Sequence, residues 1–497
     1  MGGYVQRRRR PFVPATSGIA TLLVVGFMLG SNLAVVPNHQ EGGPWQVVTS
    51  NSVPIAQVIR VGAFPLDVAY NPANGLLYVT NFGSSNISVV NTTTDRVVAW
   101  IPMPFGIETV AVDTSSGLVY VAEAVYRVYA INATTNHVEW TIPLLNMGCP
   151  TGCAPHVQTY DPVNGDIYVT DLTSDNVTVI HGDQPVAVVP VGCAPNGATY
   201  DGANQEVYVA NEGCTVSSPS NLTVVNGTTN RVTGEVYPVN GGPGITFDSS
   251  NGEIVTCENA IGTGSTNSVT FVNGSSNRLV ASISIYGACQ GAVFDPVNGY
   301  VFITDRTAPG GQDLSNVTLV DPTIHQIVLT MPVQKGPTGI AYDPSNWNIY
   351  VADSDTNNVS ILPQITRLTV HESGLPDGTN WSATVGGTTL FSTTPTISFP
   401  EPNGTFSFSV ARQGNLSANP SSGTVMVSGG RQWLNVTFAK GGASVSGFLG
   451  VPGETGYFVL IGIGALAALL IAAVVVVRRR RKRSLVVHPP SQPQPPK

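Results

Sequence analysis

Short apolar runs bounded by Gly, Pro, Asn or Asp fill residues 54–362, and β-branched and aromatic residues dominate them. Such runs predict strands rather than helices. They recur in sets. A unit built on Tyr/Phe-Asp-Pro-x-Asn-Gly-x-Ile-Tyr-Val-Thr appears seven times, anchored at Tyr78, Tyr120, Tyr168, Tyr208, Val255, Phe302 and Tyr350, at spacings of 40 to 48 residues. That period fits four short strands per unit and exceeds solenoid repeats of about 20 to 35 residues. Within a unit the first strand ends at a turn such as Asp161-Pro162-Val163-Asn164-Gly165, where Pro presets one φ and Gly accepts a positive one. The second strand reads as Leu77-Tyr78-Val79-Thr80, the third as Asn176-Val177-Thr178-Val179-Ile180, and the fourth as residues 96–102.

Counting strands predicts how the array closes. The seventh unit stops after Ser360-Ile361-Leu362 and lacks a fourth strand, whereas residues 54–61 carry the fourth-strand pattern ahead of the first unit. Pairing one with the other joins the ends of the ring and removes a long exposed sheet edge. The expected fold is therefore all-β: a seven-bladed β-propeller over residues 39–363 with N-terminal strand closure.

Tyr78-Val79-Thr80-Asn81 is literally the motif of the YVTN family of β-propeller repeats, and residues 54–363 resemble that family. Tyr168-Val169-Thr170-Asp171, Tyr208-Val209-Ala210-Asn211 and Tyr350-Val351-Ala352-Asp353 are close variants, while the fifth unit departs with Val255-Thr256-Cys257-Glu258. The resemblance implies a microbial, often archaeal, surface-layer or secreted protein. Residues 365–440 are rich in Ser, Thr and Gly and carry Gly374-Leu375-Pro376 and Pro402-Asn403-Gly404-Thr405. They predict a small β-sandwich of six or seven strands, similar to a module of archaeal surface and thermopsin-type secreted proteins.

Charge divides the chain. All 30 acidic residues lie between Glu41 and Glu454, with only 11 of the 22 basic ones, leaving that stretch at −19 and the two ends together at +11. An acidic middle repels phosphate backbones and excludes nucleic acid as a partner. Residues 457–477 carry no charge and are followed by Arg478-Arg479-Arg480-Arg481-Lys482-Arg483. Their length as a helix matches a hydrocarbon core of about 30 Å, and the basic run sets the cytoplasmic side. Residues 441–456 read as a stalk and 478–497 as a basic, Pro-rich cytoplasmic tail. Residues 1–38, with Arg7 to Arg10 ahead of an apolar stretch, read as a signal peptide or signal anchor. The expected location is the cell membrane, single-pass or two-pass, with propeller and sandwich outside.

Export is consistent with thirteen Asn-x-Ser/Thr sequons, all between the apolar ends: Asn86, Asn91, Asn132, Asn176, Asn221, Asn226, Asn273, Asn316, Asn358, Asn380, Asn403, Asn415 and Asn435. The six cysteines also lie there, and the propeller pattern suggests Cys193 with Cys214, Cys257 with Cys289, and Cys149 with Cys153, among fifteen connectivities. The rival reading is a zinc site from Cys149, Cys153 and His156. Asp353-Ser354-Asp355-Thr356-Asn357 resembles the start of a calcium loop, making Asp353, Asp355 and Asn357 metal candidates. The loop's sixth position is Asn358 rather than Gly, and its twelfth is Gln364 rather than Glu.

The residue after each second strand is polar: Asn81, Glu123, Asp171, Asn211, Glu258, Asp305 and Asp353. These form either an acidic ring for a cation or a set of strand ends bonded to nearby backbone. No catalytic constellation or cofactor motif is found: the seven histidines lack metal-ligand spacing, and no Gly-x-Ser-x-Gly elbow exists. His156 is the best lone candidate for a site. The expected function is a binding, adhesion or surface-layer structural protein with surface proteins or glycans as partners. The alternative is an extracellular propeller enzyme of lactonase or quinoprotein-dehydrogenase type.

Overall fold

The computed structural model describes Ile55 and residues 57–144, 154–214, 219–239, 241–257, 267–307 and 313–440. The leader, stalk, 457–477 span and tail, together with Cys149, Cys153 and Glu258, lie outside the described residues. Among those described, every regular element is a strand, and no helix is long and apolar enough to cross a membrane.

Residues 57–362 form seven four-stranded antiparallel sheets. Their first strands are Pro65–Asn71, Ile107–Asp113, Pro155–Asp161, Pro195–Asp201, Gly244–Asp248, Ala288–Asp295 and Pro337–Asp343. Each first strand contacts that of the next unit, and Pro337–Asp343 contacts Pro65–Asn71. In the seventh sheet the fourth strand is Gln57–Arg60, antiparallel to Asn358–Leu362 with Ile59 opposite Val359.

Local chemistry explains the repetition. The last residue of every first strand is Asn or Asp, and its side-chain oxygen accepts the N–H two residues on: Ala73 to Asn71, Ser115 to Asp113, Val163 to Asp161, Ala203 to Asp201, Ser250 to Asp248, Val297 to Asp295 and Ser345 to Asp343. This side-chain mimic of a turn starts each hairpin. The hairpin then passes through a left-handed residue, which is glycine at Gly75 and Gly165 but Gln205 (φ 58°) and Trp347 (φ 61°) in the fourth and seventh units.

The buried second-strand tyrosines hold unit to unit. Tyr78, Tyr120, Tyr168 and Tyr208 donate from their hydroxyls to the carbonyls of Ala133, Gly182, Gly227 and Gly274, each at the turn between third and fourth strands of the following unit. Tyr350 of the seventh unit reaches Asp95 of the first, 3.4 Å away. Val255 has no hydroxyl to offer. There Glu253 meets His325 of the sixth unit at 3.2 Å, joining the same two places.

Residues 365–440 form two further sheets, ordered Thr396–Pro402, Ile365–Ser373, Arg431–Lys440, Leu416–Asn419 and Thr388–Ser392, Trp381–Val385, Gly404–Val410, Ser422–Val427. The count is eight strands, where the texture predicts six or seven. The strands Thr388–Ser392 and Leu416–Asn419 are short and follow Gly386-Gly387 and Gly414-Asn415, so their sequence reads as turn. Trp381, Phe399, Phe408, Leu434 and Phe438 fill the core between the sheets.

This second body is joined to the sixth unit through Arg367. Its guanidinium donates to the carbonyls of Asn298 (2.9 Å) and Gly299 (2.8 Å), pairs with Asp321 at 2.9 Å and lies 4.2 Å over the Tyr300 ring. Asn298 returns a bond to the carbonyl of Ile365. In units one, three and seven the equivalent asparagine donates to the next unit's turn between third and fourth strands: Asn74 to Ala133, Asn164 to Gly227 and Asn346 to Thr92. The seventh unit has no such turn, because its fourth strand comes from the N-terminus. Ile365–Ser373 occupies the vacated place.

Candidate functional site at the first-strand ends

The described polar residues at the ends of the second strands, Asn81, Glu123, Asp171, Asn211, Asp305 and Asp353, are buried. Each meets a side chain of the facing third strand: Asn81 donates to Ser88 (2.9 Å) and Asn211 to Thr223 (3.0 Å), while Asp171 accepts from Thr178 (2.7 Å), Asp353 from Ser360 (2.7 Å) and Asp305 from Thr318. Glu123, one carbon longer, accepts from Tyr129 instead. The hydroxyls of Ser88 and Thr223 in turn accept the N–H of Gly62 and Gly192, in the loops entering the first strands. These glycines lie so close that a Cβ would stand 2.6 Å from the side-chain carbon of Asn81 or Asn211. The strand-end residues are thus internal ties, not a ring of ligands facing an opening. Burial raises Asp171, Asp305 and Asp353 to about 7, and in each the second carboxyl oxygen has no partner.

The same ties explain much of the sequon pattern. Asn86, Asn176, Asn221 and Asn358 begin third strands and Asn316 lies within one, and in each case the Ser or Thr two residues later is the hydroxyl that meets the strand-end residue. Asn91, Asn132, Asn226 and Asn273 end third strands, where their side-chain oxygens accept backbone N–H groups of the following turn. Asn176 is 5% exposed and Asn221 1%, which leaves no room for a glycan on either. In the second body Asn380, Asn403, Asn415 and Asn435 are exposed, with Asn403 also donating to Gln364.

A different set gathers where the first strands begin. Glu108, His156, Asn196 and Thr338 occupy the second position of the first strands of units two, three, four and seven. His156 Nε2 stands 3.9 Å from Glu108 Oε2, with 33% and 22% of the side chains exposed. Burial raises the Glu108 carboxyl and lowers the His156 imidazole, so both are driven toward their neutral forms. Gln158 donates to the carbonyl and hydroxyl of Thr109, and Asn196 donates to Glu212 at 2.6 Å. Deeper in, Asp67 accepts the N–H groups of Val68 and Val110 and is raised by burial to about 6, fastening units one and two. His156 Nδ1, Gln158 Oε1 and Asn196 Oδ1 are buried without partners. His156 was legible as a lone histidine, although its place in the strand Pro155–Asp161 rather than in a loop was not. Glu108, Gln158 and Asn196 were not, because each sits in a strand pattern and only the third dimension joins them.

No protein-family model matches the chain, and no curated protein does. Among solved structures it is similar to Kuenenia stuttgartiensis hydrazine synthase, at 16% identity and a TM-score of 0.52, covering 65% of this chain and 98% of that one. It is likewise similar to a chain of the mitotic checkpoint complex, at 9% identity and a TM-score of 0.52, covering 67% and 99%. Both are propeller-type folds, and at such identities the likeness speaks for fold alone. The chain contains a β-propeller.

On this propeller Cys193 and Cys214 form a disulfide with Cα atoms 5.8 Å apart, and Cys257 and Cys289 another at 5.9 Å. The first ties the loop entering a first strand to the residues beyond the second strand of the same unit, and the second crosses between units five and six. The three calcium-loop residues are engaged separately: Asp353 with Ser360, Asp355 with Arg306 at 3.3 Å, and Asn357 with the N–H of Phe64. Among the described residues the one close group of metal-ligating types is Asp175 with Cys193 and Cys214, whose sulfurs are bonded to each other.

Proposed function

We propose that this chain is a membrane-anchored cell-surface protein whose propeller has seven blades closed by its N-terminal strand and serves binding, adhesion or surface-layer assembly. The carrying observation is the set of buried, unpartnered polar atoms of His156, Gln158 and Asn196 in the adjacent first strands of units three and four. Blade count and closure are supported by the pairing of Gln57–Arg60 with Asn358–Leu362 and by the Tyr350 hydroxyl reaching the first unit. The surface location rests on the uncharged 457–477 run before six basic residues, and the archaeal surface-layer kinship rests on Tyr78-Val79-Thr80-Asn81. The enzyme reading, of lactonase or quinoprotein-dehydrogenase type, draws on the Glu108–His156 pair, a proton donor and acceptor side by side.

Protease treatment of intact producing cells tests the location. A fragment carrying the propeller and the second body is expected in the supernatant, with the basic tail retained. Digestion only after lysis would refute surface display. Turnover of a lactone or an alcohol that is lost in His156→Ala would replace the binding reading with the enzymatic one.

A further inference from the structure

Residues 365–440 contain three acidic residues and four basic ones, and two of the acids, Glu372 and Asp377, line one cavity that none of the bases reaches. The cavity holds about 200 Å³ and lies between the turn after Ile365–Ser373 and the residues that precede Thr396–Pro402. Its turn is the Gly374-Leu375-Pro376-Asp377-Gly378-Thr379 run, whose place in the second body the propeller's ties do not explain.

Both walls are held by the chain. Glu372 donates its N–H to the Pro395 carbonyl at 2.8 Å, and the Trp381 indole donates to the Thr394 carbonyl at 2.7 Å. Thr379 donates from both its N–H and its hydroxyl to the Pro376 carbonyl. Gly374 turns the chain at φ 93°, where a side chain would strike the Phe438 carbonyl. The cavity is therefore set by the fold of the turn.

The side-chain oxygens facing it are not spent in the same way. Glu372 is 8% exposed; one carboxyl oxygen accepts the Leu375 N–H at 3.3 Å, and the other meets no donor among the described residues. Unlike the sealed oxygens of Asp171 and Asp353, that second oxygen keeps accessible surface. Asp377 and Thr393 spend no side-chain oxygen on another described residue, and no ion pair among the described residues reaches Glu372 or Asp377. A carboxylate this far from water is costly until a cation meets it. Carboxylate, hydroxyl and carbonyl oxygens, with no imidazole or thiol, select a hard cation. Calcium takes about six to eight oxygens in flexible geometry, whereas magnesium demands a near-octahedral set and keeps its water.

We infer that the second body binds a calcium ion in this cavity, with Glu372 and Asp377 as its charged ligands and Thr393 and water oxygens completing the shell. The ion would tie the 374–379 turn to residues 393–395. The site stands apart from whatever the propeller binds.

The test is calorimetric titration of the full chain in detergent with calcium chloride and, separately, with magnesium chloride. One saturable calcium site is expected, with a dissociation constant of about 0.1 to 1 mM, the range of extracellular modules. Glu372→Gln and Asp377→Asn should each weaken it at least about 10-fold, because affinity follows the charge of the ligands. Asp355→Asn, in the propeller segment whose sequence resembles a calcium loop, should leave it unchanged. No saturable binding, binding indifferent to both ligand variants, loss of binding in Asp355→Asn, or magnesium bound as tightly as calcium would each overturn the inference. Should Glu372→Gln fail to fold, Asp377→Asn, on the exposed turn, decides alone.

Discussion

At the residue scale, the strand-end position shows one tie made with two chemistries. Asn81 and Asn211 donate to a hydroxyl and also to third-strand oxygens, including those of Asn86 and Asn221. Asp171, Asp305 and Asp353 only accept, and each keeps one oxygen bare. Burial holds these three carboxyls at about 7 in the folded chain, whereas an aspartate in the unfolded chain titrates near 3.8. The folded state thus binds protons first. Its advantage from these groups is complete below about pH 4 and is lost as pH rises through about 7. The buried neutral His156 and the lowered Asp113 act in the opposite sense. Asp353→Asn should accordingly stabilise the protein by about 1 to 3 kcal/mol above pH 8 and change little at pH 4, since it supplies a donor where an ionised oxygen has none. Denaturant unfolding at the two pH values checks this, and equal effects at both would refute the account. The same ties bear on the sequons. The motif was plain in the sequence, but its cause was not, since Asn-x-Ser/Thr encodes a third-strand tie as readily as a glycan acceptor. If the chain is glycosylated, glycopeptide mapping should find Asn380, Asn415 or Asn435 occupied and Asn176 and Asn221 bare.

At the scale of elements, strands and turns were legible because Asp-Pro-x-Asn-Gly repeats as a local signal that needs no distant partner to be read. The left-handed turn positions at Gln205 and Trp347 were hidden, as neither residue type announces a positive φ. The Glu253–His325 contact was hidden too. It joins residues 72 apart, and only the missing hydroxyl at Val255 hints that a substitute is needed. The N-terminal strand is the element with the most at stake. Ile59 is buried in one cluster with Val68 and Leu77 of the first unit and Tyr350 and Val359 of the seventh, so it packs across the join. Ile59→Ala should cost about 2 to 5 kcal/mol. Deleting residues 54–61 goes further, baring the edge of Asn358–Leu362 to intermolecular pairing. The expected outcome is a lower melting temperature together with higher-order species in light scattering. A deletion variant as monomeric and heat-resistant as its parent would show that the strand does not close the fold.

At the scale of the whole molecule, a propeller and a second sheet pair are joined because the N-terminal strand that completes the seventh sheet leaves a place unfilled. The seventh unit borrows its fourth strand from the N-terminus and so has no turn between third and fourth strands. Residues 365–367 fill that position against the sixth unit. The change of composition near residue 365 is plain in the sequence, but the joint across it was not legible, since an arginine in a strand reads as surface. Arg367 is instead 8% exposed, with Asp321 buried beside it. Arg367→Met keeps the bulk yet strands the Asp321 carboxylate and the carbonyls of Asn298 and Gly299, for a cost of about 3 to 5 kcal/mol. Adding Asp321→Asn removes the stranded charge and should recover part of the loss, because what a broken buried pair costs is chiefly its uncompensated partner. A full-chain melt in which the single variant matches the parent would show the arginine to be idle. Recovery in the double variant, with limited proteolysis still cutting near residue 364, would show that the charge is relieved while the joint stays loose, which separates Arg367 as a clasp between the two bodies from Arg367 as a partner for Asp321 alone.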